Sequence, residues 1–164
     1  MAITKAKKQE VVAKVADSVK DAASVVFVAF KGLTVADTSA MRRALRNGGI
    51  GYYVAKKTLI RRALADSGYT GTMPELPGEI AMAWSSGDAT APAREIYEHG
   101  KKHKDALSIV GGVFDGAFVD AAAMRAIATI PPVPVLRGMF VNVINSPIQG
   151  FVIALNEIAK KKPA

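Results

Sequence analysis

The side chains of this chain best suited to hold a ligand are cations in two short blocks. One block reads Met41-Arg42-Arg43-Ala44-Leu45-Arg46, and the other reads Ala55-Lys56-Lys57-Thr58-Leu59-Ile60-Arg61-Arg62. Residues 1–62 carry thirteen Lys or Arg against four Asp or Glu, a net of +9, whereas residues 63–164 carry nine against ten, a net of −1. Such a local excess attracts polyanions, and the polyanion that a small basic domain most often meets is nucleic acid.

A solvated helix face is the alternative explanation for these cations. It does not explain why so few acids compensate them over 62 residues, because ordinary soluble surfaces mix both signs. Nor does it explain the aromatic pair Tyr52-Tyr53 that leads into Lys56-Lys57. Structured RNA is favoured over DNA, since no helix-turn-helix, zinc-finger or basic-zipper pattern occurs.

Patterns that could support catalysis are sparse. His99 and His103 are spaced i, i+4, but Lys101, Lys102 and Lys104 surround them with positive charge and no third ligand can be named. Zinc usually requires such a ligand, so no metal site is predicted. The chain has no cysteine and no Gly-x-Ser-x-Gly motif, and its carboxylates show no spacing typical of an acid/base pair. The sequence predicts neither an enzyme nor a cofactor.

Length and composition set the class of protein. A chain of 164 residues can bury roughly 70% of its unfolded surface as one domain, so it needs no metal or disulfide. The absence of cysteine fits a reducing compartment. The N-terminus has no apolar core of signal-peptide length, and we therefore expect a cytoplasmic protein.

Helix and strand signals alternate up to about residue 130. Helices are predicted around residues 11–19, 34–47, 57–67, 91–103 and 120–130, with Thr34 and Asp120 as N-caps. Strands are predicted at residues 25–30, 50–55, 79–84, 107–110 and 113–118, with Asp115-Gly116 as a hairpin turn. These signals indicate an α/β or α+β domain with a mixed sheet.

The character of the chain changes after Pro131-Pro132. Apolar residues then recur at three- and four-residue steps, as on one side of a helix. This stripe consists of Leu136, Met139, Phe140, Val143, Ile144, Ile148, Phe151, Val152, Leu155 and Ile158. Ser146 and Pro147 suit a helix start, so two helical pieces are predicted instead of one.

The stripe has two explanations on pattern alone. It can complete the domain's own core, or it can dock on partner helices. A membrane span is not predicted, because the strongly apolar stretch at residues 133–144 contains Pro134, Arg137 and Asn142 and is shorter than the ~20 residues required.

The order of these features resembles a known family. Residues Val25-Val26-Phe27-Val28-Ala29-Phe30-Lys31-Gly32-Leu33-Thr34-Val35, the first basic block, and Tyr53-Val54-Ala55-Lys56-Lys57-Thr58-Leu59-Ile60-Arg61-Arg62-Ala63-Leu64 are similar to the bacterial large-subunit ribosomal protein ten family. The similarity continues through Gly111-Gly112 to a terminal Ala154-Leu155-Asn156-Glu157-Ile158-Ala159-Lys160.

The resemblance implies a non-enzymatic protein at the base of the ribosomal stalk. Residues 1–130 would form a globular domain that binds large-subunit rRNA beside ribosomal protein eleven. Residues 133–164 would carry dimers of the acidic stalk protein, ribosomal protein seven/twelve, which recruits translational GTPases. A free-standing RNA-binding translational regulator is the alternative.

The resemblance also assigns residues. The rRNA-binding set is Lys7, Lys8, Lys31, Gly32, Arg42, Arg46, Lys56, Lys57, Thr58, Arg61 and Arg62. The docking set for the stalk protein is Ile148, Phe151, Val152, Leu155 and Ile158. Two departures from the family pattern occur: Lys57 replaces the usual Asn, which favours an ion pair with phosphate, and Pro147 interrupts the terminal helix.

Overall fold

The computed structural model describes residues 4–65, 67–102 and 106–161. The chain divides into two compact units, Met1–Ile130 and Pro131–Ala164. The elements of the first unit are α1 (Lys5–Lys20), β1 (Ser24–Phe30), α2 (Val35–Asn47), β2 (Gly51–Val54), α3 (Lys57–Ala65), β3 (Ile80–Ser85), α4 (Ala91–Lys102), β4 (Leu107–Phe114), β5 (Ala117–Asp120) and α5 (Ala121–Ala128). The second unit contains α6 (Val133–Lys161).

The five strands form one sheet in the order β2-β3-β1-β4-β5. The α+β class is therefore confirmed, but the strand directions differ from the mixed sheet that we predicted. All four strand pairings are antiparallel, and the described parallel pairing is an isolated bridge between Thr70 and Ala117. The early helix–strand alternation does make β1 and β2 run in the same direction, but β3 inserts between them, as in a split βαβ arrangement.

Both faces of the sheet are covered. Alternate side chains of β1 point to opposite faces, so Val26 and Val28 join one core while Val25 and Phe27 join the other. Helices α2, α4 and α5 pack on the first core, and α1 and α3 pack on the second. The edge strand β2 thus lies between helices that belong to opposite faces.

Several predicted helix and turn signals are confirmed. The Thr34 hydroxyl caps α2 by accepting a hydrogen bond from the Asp37 N–H at 3.2 Å, and Asp120 caps α5 through the Ala123 N–H at 2.8 Å. Asp115 and Gly116 both have positive φ, 52° and 74°, as a two-residue hairpin turn between β4 and β5 requires.

The terminal helix corrects two predictions. It is continuous over 29 residues, with Pro147 inside it, so the prediction of two pieces is wrong. A proline removes one helical hydrogen bond and crowds the carbonyl four residues earlier at a cost of about 3 kcal/mol. That penalty does not end this helix, which has three or more turns on either side of the ring.

The length argument against a membrane span also fails. The interruption at Asn145-Ser146-Pro147 lies within a single helix, so the apolar segment does not stop at Ile144. By length and composition alone, α6 could cross a membrane. Protein-docking helices and membrane helices share these two properties.

Candidate nucleic-acid interface

Three chain segments from the basic half of the protein meet at one end of the sheet. In the antiparallel register, β1 ends at Phe30 and β2 ends at Val54, where β3 begins with Ile80. The Phe30 N–H donates a hydrogen bond to the Glu79 carbonyl at 3.2 Å, which ties the end of β1 to the residue before β3. Only Ala55 and Lys56 separate β2 from α3, so the second basic block starts at this end of the sheet.

A groove of about 630 Å³ opens at this end on the α1 and α3 side. Its polar wall is Lys56, Lys57 and Thr58, and its apolar wall includes Val11 and Tyr53. Lys57 begins α3, whose first turn contains no acidic residue. The positive end of the helix dipole and the lysine charges therefore act together, an arrangement that favours phosphate.

A second groove of about 590 Å³ adjoins the first. The two share Phe30, Gly78 and Glu79, and the second adds Lys31 and Gly32. Gly32 has a φ of +71°, a left-handed conformation in which a side chain would be strained. The predicted pair Lys31 and Gly32 thus lies next to the Lys56 block, although the two are far apart in sequence.

A third groove, of about 610 Å³, lies between α1 and α3. Lys8 and Arg62 line it, and Leu59 is common to this groove and the first. Seven of the eleven residues predicted for rRNA thus line three adjoining grooves, namely Lys8, Lys31, Gly32, Lys56, Lys57, Thr58 and Arg62. Lys7 and Arg61 are exposed on α1 and α3 and line none of the three.

The structure places Arg42 and Arg46 apart from this cluster, on α2 at the opposite face of the sheet. Arg42 lies over the ring of Tyr52, with its guanidinium carbon 5.6 Å from the ring centroid. On the other face, the Lys14 ammonium lies 5.6 Å from the ring centroid of Tyr53. Cations therefore flank the edge strand β2 on both faces, through cation–π pairs.

Lys14 is a residue that we did not predict for this surface. The sequence places it on the outer side of α1, and its contact with Tyr53 depends on the packing of α1 beside α3. The aromatic pair Tyr52-Tyr53 in a basic segment was the available signal. It predicts that cations approach both rings, but not which cations.

The described residues hold no group of three or more His, Cys, Asp or Glu that could bind a metal ion. Of the histidine pair His99 and His103, His103 lies outside the described residues.

In α6 all five predicted docking residues are exposed, with 49% to 66% of each residue's surface accessible. No described residue of α6 is buried. A helix with this many exposed apolar side chains calls for a covering partner.

A basic patch on a domain is typical of nucleic-acid-binding proteins, and an exposed apolar helix is typical of an interaction site. The profile of the family described as Ribosomal protein L10 matches residues 3–101. The protein named large ribosomal subunit protein uL10 of Shouchella clausii (strain KSM-K16) is 39% identical over 155 residues, which covers 94% of this chain and 93% of the relative. Its namesake in Staphylococcus carnosus (strain TM300) is 36% identical over 160 residues, which covers 98% of this chain and 95% of the relative.

The chain therefore belongs to the Ribosomal protein L10 family. Membership gives it a structural role in the ribosome, in the cytoplasm, and not an enzymatic one. The resemblance drawn from the basic blocks and the strand between them is confirmed.

Proposed function

We propose that this protein forms the base of the ribosomal stalk, with residues 1–130 bound to large-subunit rRNA and α6 bound to dimers of an acidic stalk protein. In this role it lies beside ribosomal protein eleven and helps to recruit translational GTPases through the stalk. The observation that best supports rRNA binding is the cluster of three adjoining basic grooves at one end of the sheet.

The geometry of the grooves supports backbone contacts with RNA. Lys8 and Arg62 lie on one side of Leu59, and Lys56, Lys57 and Thr58 lie on the other. Cations that are spread along adjoining grooves can follow a phosphate backbone, whereas a compact pocket would suit a single anion. The N-terminus of α3 adds N–H donors within the same surface.

The charge and shape of α6 support a protein partner that is acidic and helical. Of its charged side chains, Lys160 lies 3.2 Å from Glu157, while Arg137 and Lys161 form no ion pair within the described residues. Asn142, Gln149 and Asn156 recur at seven-residue steps and so lie along one side of the helix. Such amides are costly against lipid and can hydrogen-bond in a helical bundle, which favours protein over membrane.

Rebinding to ribosomal subunits tests the proposal. Large subunits stripped of this protein and of the stalk protein are mixed with the full chain or with residues 1–130, and pelleted. Both forms should co-sediment, but only the full chain should restore the acidic stalk protein to the pellet. A chain that binds RNA fragments and fails to pellet with the subunits would instead support the free-standing regulator.

A further inference from the structure

One carboxylate lies among the cations of the three grooves. Among the described residues that line them, Glu79 is the only acid, and it belongs to both the groove with Lys56 and Lys57 and the groove with Lys31. Its side chain forms no ion pair or hydrogen bond within the described residues. An exposed carboxylate beside these cations repels phosphate, so it can contribute to binding only by accepting hydrogen bonds from a donor group of the ligand.

The backbone holds Glu79 firmly at this position. Its carbonyl accepts the hydrogen bond from the Phe30 N–H, and the buried Ile80 follows it at the start of β3. Gly78 precedes it with a φ of +69°, which turns the chain into the strand. Glu79 is therefore anchored to the sheet at a position that lines both grooves.

An ionised carboxylate only accepts hydrogen bonds, and its two oxygens can take two parallel donors. Among the RNA bases, guanine alone offers two adjacent donors, N1–H and the N2 amino group, on its Watson–Crick edge. Adenine, cytosine and uracil each place an acceptor beside their donor. A carboxylate can thus distinguish guanine from the other three bases when this edge is unpaired.

We propose that the groove at the end of β2 binds one unpaired guanosine of RNA, with Glu79 accepting hydrogen bonds from its N1–H and N2 amino group. The apolar wall formed by Val11, Tyr53 and Val54 covers the base, and Lys56 and Lys57 at the start of α3 hold the adjacent phosphate. This assignment rests on the proposed rRNA-binding function and adds to it the residue that reads a base.

Short oligoribonucleotides test the assignment on the full chain. Three pentamers, with guanosine, inosine or adenosine between flanking uridines, are titrated by fluorescence anisotropy at one low salt concentration. Inosine lacks only the N2 amino group, so it isolates one hydrogen bond. We expect guanosine to bind about tenfold more tightly than adenosine, the discrimination typical of one good bidentate pair, and inosine to bind with an affinity between the two.

Two isosteric variants separate base reading from charge. Glu79→Gln should abolish the preference for guanosine, because an amide cannot accept both donors. Glu75→Gln removes the same charge from an exposed residue of the same connector that lines none of the grooves, and it should keep the preference. If both variants instead raise the affinity for all three pentamers equally, Glu79 only repels phosphate and the assignment is wrong.

Competition with GDP distinguishes a guanosine within RNA from a free guanine nucleotide as the ligand. GDP should displace the guanosine pentamer only weakly, because it lacks the flanking nucleotides. Displacement by GDP at the affinity of the pentamer would make this a free-nucleotide site and overturn the assignment. If the unchanged protein shows no preference for guanosine while its binding to rRNA still depends on Lys56 and Lys57, this inference alone is wrong and the proposed function stands.

Discussion

Arg42 covers the ring of Tyr52 on the outer strand of the sheet, 5.6 Å from guanidinium carbon to ring centroid. Burial raises the pKa of Tyr52 above its ordinary value of 10.0, and the positive charge of Arg42 partly opposes that rise. Arg42→Ala should therefore raise the pKa of Tyr52 further. Absorbance titration of the phenols measures this pKa, and Tyr52→Phe assigns the transition.

The raised pKa of Tyr52 also determines how its contribution to folding stability depends on pH. An acid whose pKa is raised by folding contributes stability that is complete below its unfolded pKa and is lost as the pH rises through the folded pKa. The contribution of Tyr52 should hence decline only at alkaline pH, above about 10. An unchanged pKa of Tyr52 in Arg42→Ala would show that the Arg42 charge does not act on the phenol in solution.

The close approach of β4 to β1 predicts a sharp difference between two glycines. A Cβ at Gly112 would collide with the carbonyl oxygen of Val25 and would lie 2.6 Å from the Met124 Cε, whereas one at Gly87 meets no heavy atom within 4 Å. Gly112→Ala should cost about 1 to 3 kcal/mol or more by overpacking. Urea unfolding of both variants measures this.

Gly87→Ala is the matched control, with an expected change within about 0.5 kcal/mol. Equal stability of the two variants would mean that β1 and β4 separate more easily than the sheet register indicates.

Two isoleucines of α6 provide a matched test of the docking face. Ile148 and Ile153 are almost equally exposed, at 64% and 62%, but five residues turn a helix by one full turn and about 140° more, so they point in different directions. Ile148→Ala should weaken capture of acidic stalk-protein dimers roughly thirtyfold, which corresponds to about 2 kcal/mol for one buried side chain. Ile153→Ala should change it little, and calorimetric titration measures both.

Deletion of residues 145–164 should abolish or reduce capture while residues 1–130 still unfold cooperatively and bind RNA. Loss of cooperative unfolding on that deletion would assign the stripe to the domain's own core. Flotation of the full chain with phospholipid vesicles, and not of the truncated chain, would identify α6 as a membrane helix.

Local chemistry explains which parts of the fold were predictable. The caps at Thr34 and Asp120 and the turn at Asp115-Gly116 depend on neighbours within three residues, and all three are confirmed. The insertion of β3 between β1 and β2 was not predictable, because strand order depends on pairing between residues far apart in sequence.

The candidate site was likewise only partly predictable from the sequence. The two basic blocks identify the cations of α2 and α3, but only the fold brings Lys8 beside Arg62 and separates Arg42 from both. Glu79 carries no sequence signal, since a single acid in a connector is ordinary until its neighbours in space are known. The continuity of α6 through Pro147 was missed because a helix start at Ser146 and a tolerated proline share the same local pattern.

The salt dependence of rRNA binding is the sharpest test of an rRNA interface at the α3 block. The full chain, with a formal net charge of +8, is compared with two variants that each lose four charges. One replaces Lys56, Lys57, Arg61 and Arg62 by Ala, and the other replaces Lys101, Lys102, Lys160 and Lys161 by Ala. Affinity for a large-subunit rRNA fragment is measured between about 50 and 200 mM salt, over which about six phosphate contacts should cost on the order of a thousandfold.

Each phosphate contact contributes about 0.7 to 0.9 to the slope of log affinity against log salt, so the first variant should lose about 3 from that slope. The second variant has the same net charge and should keep the slope of the unchanged protein. Equal losses in both variants, or a flat salt response of the unchanged protein, would contradict an rRNA interface built on the α3 block.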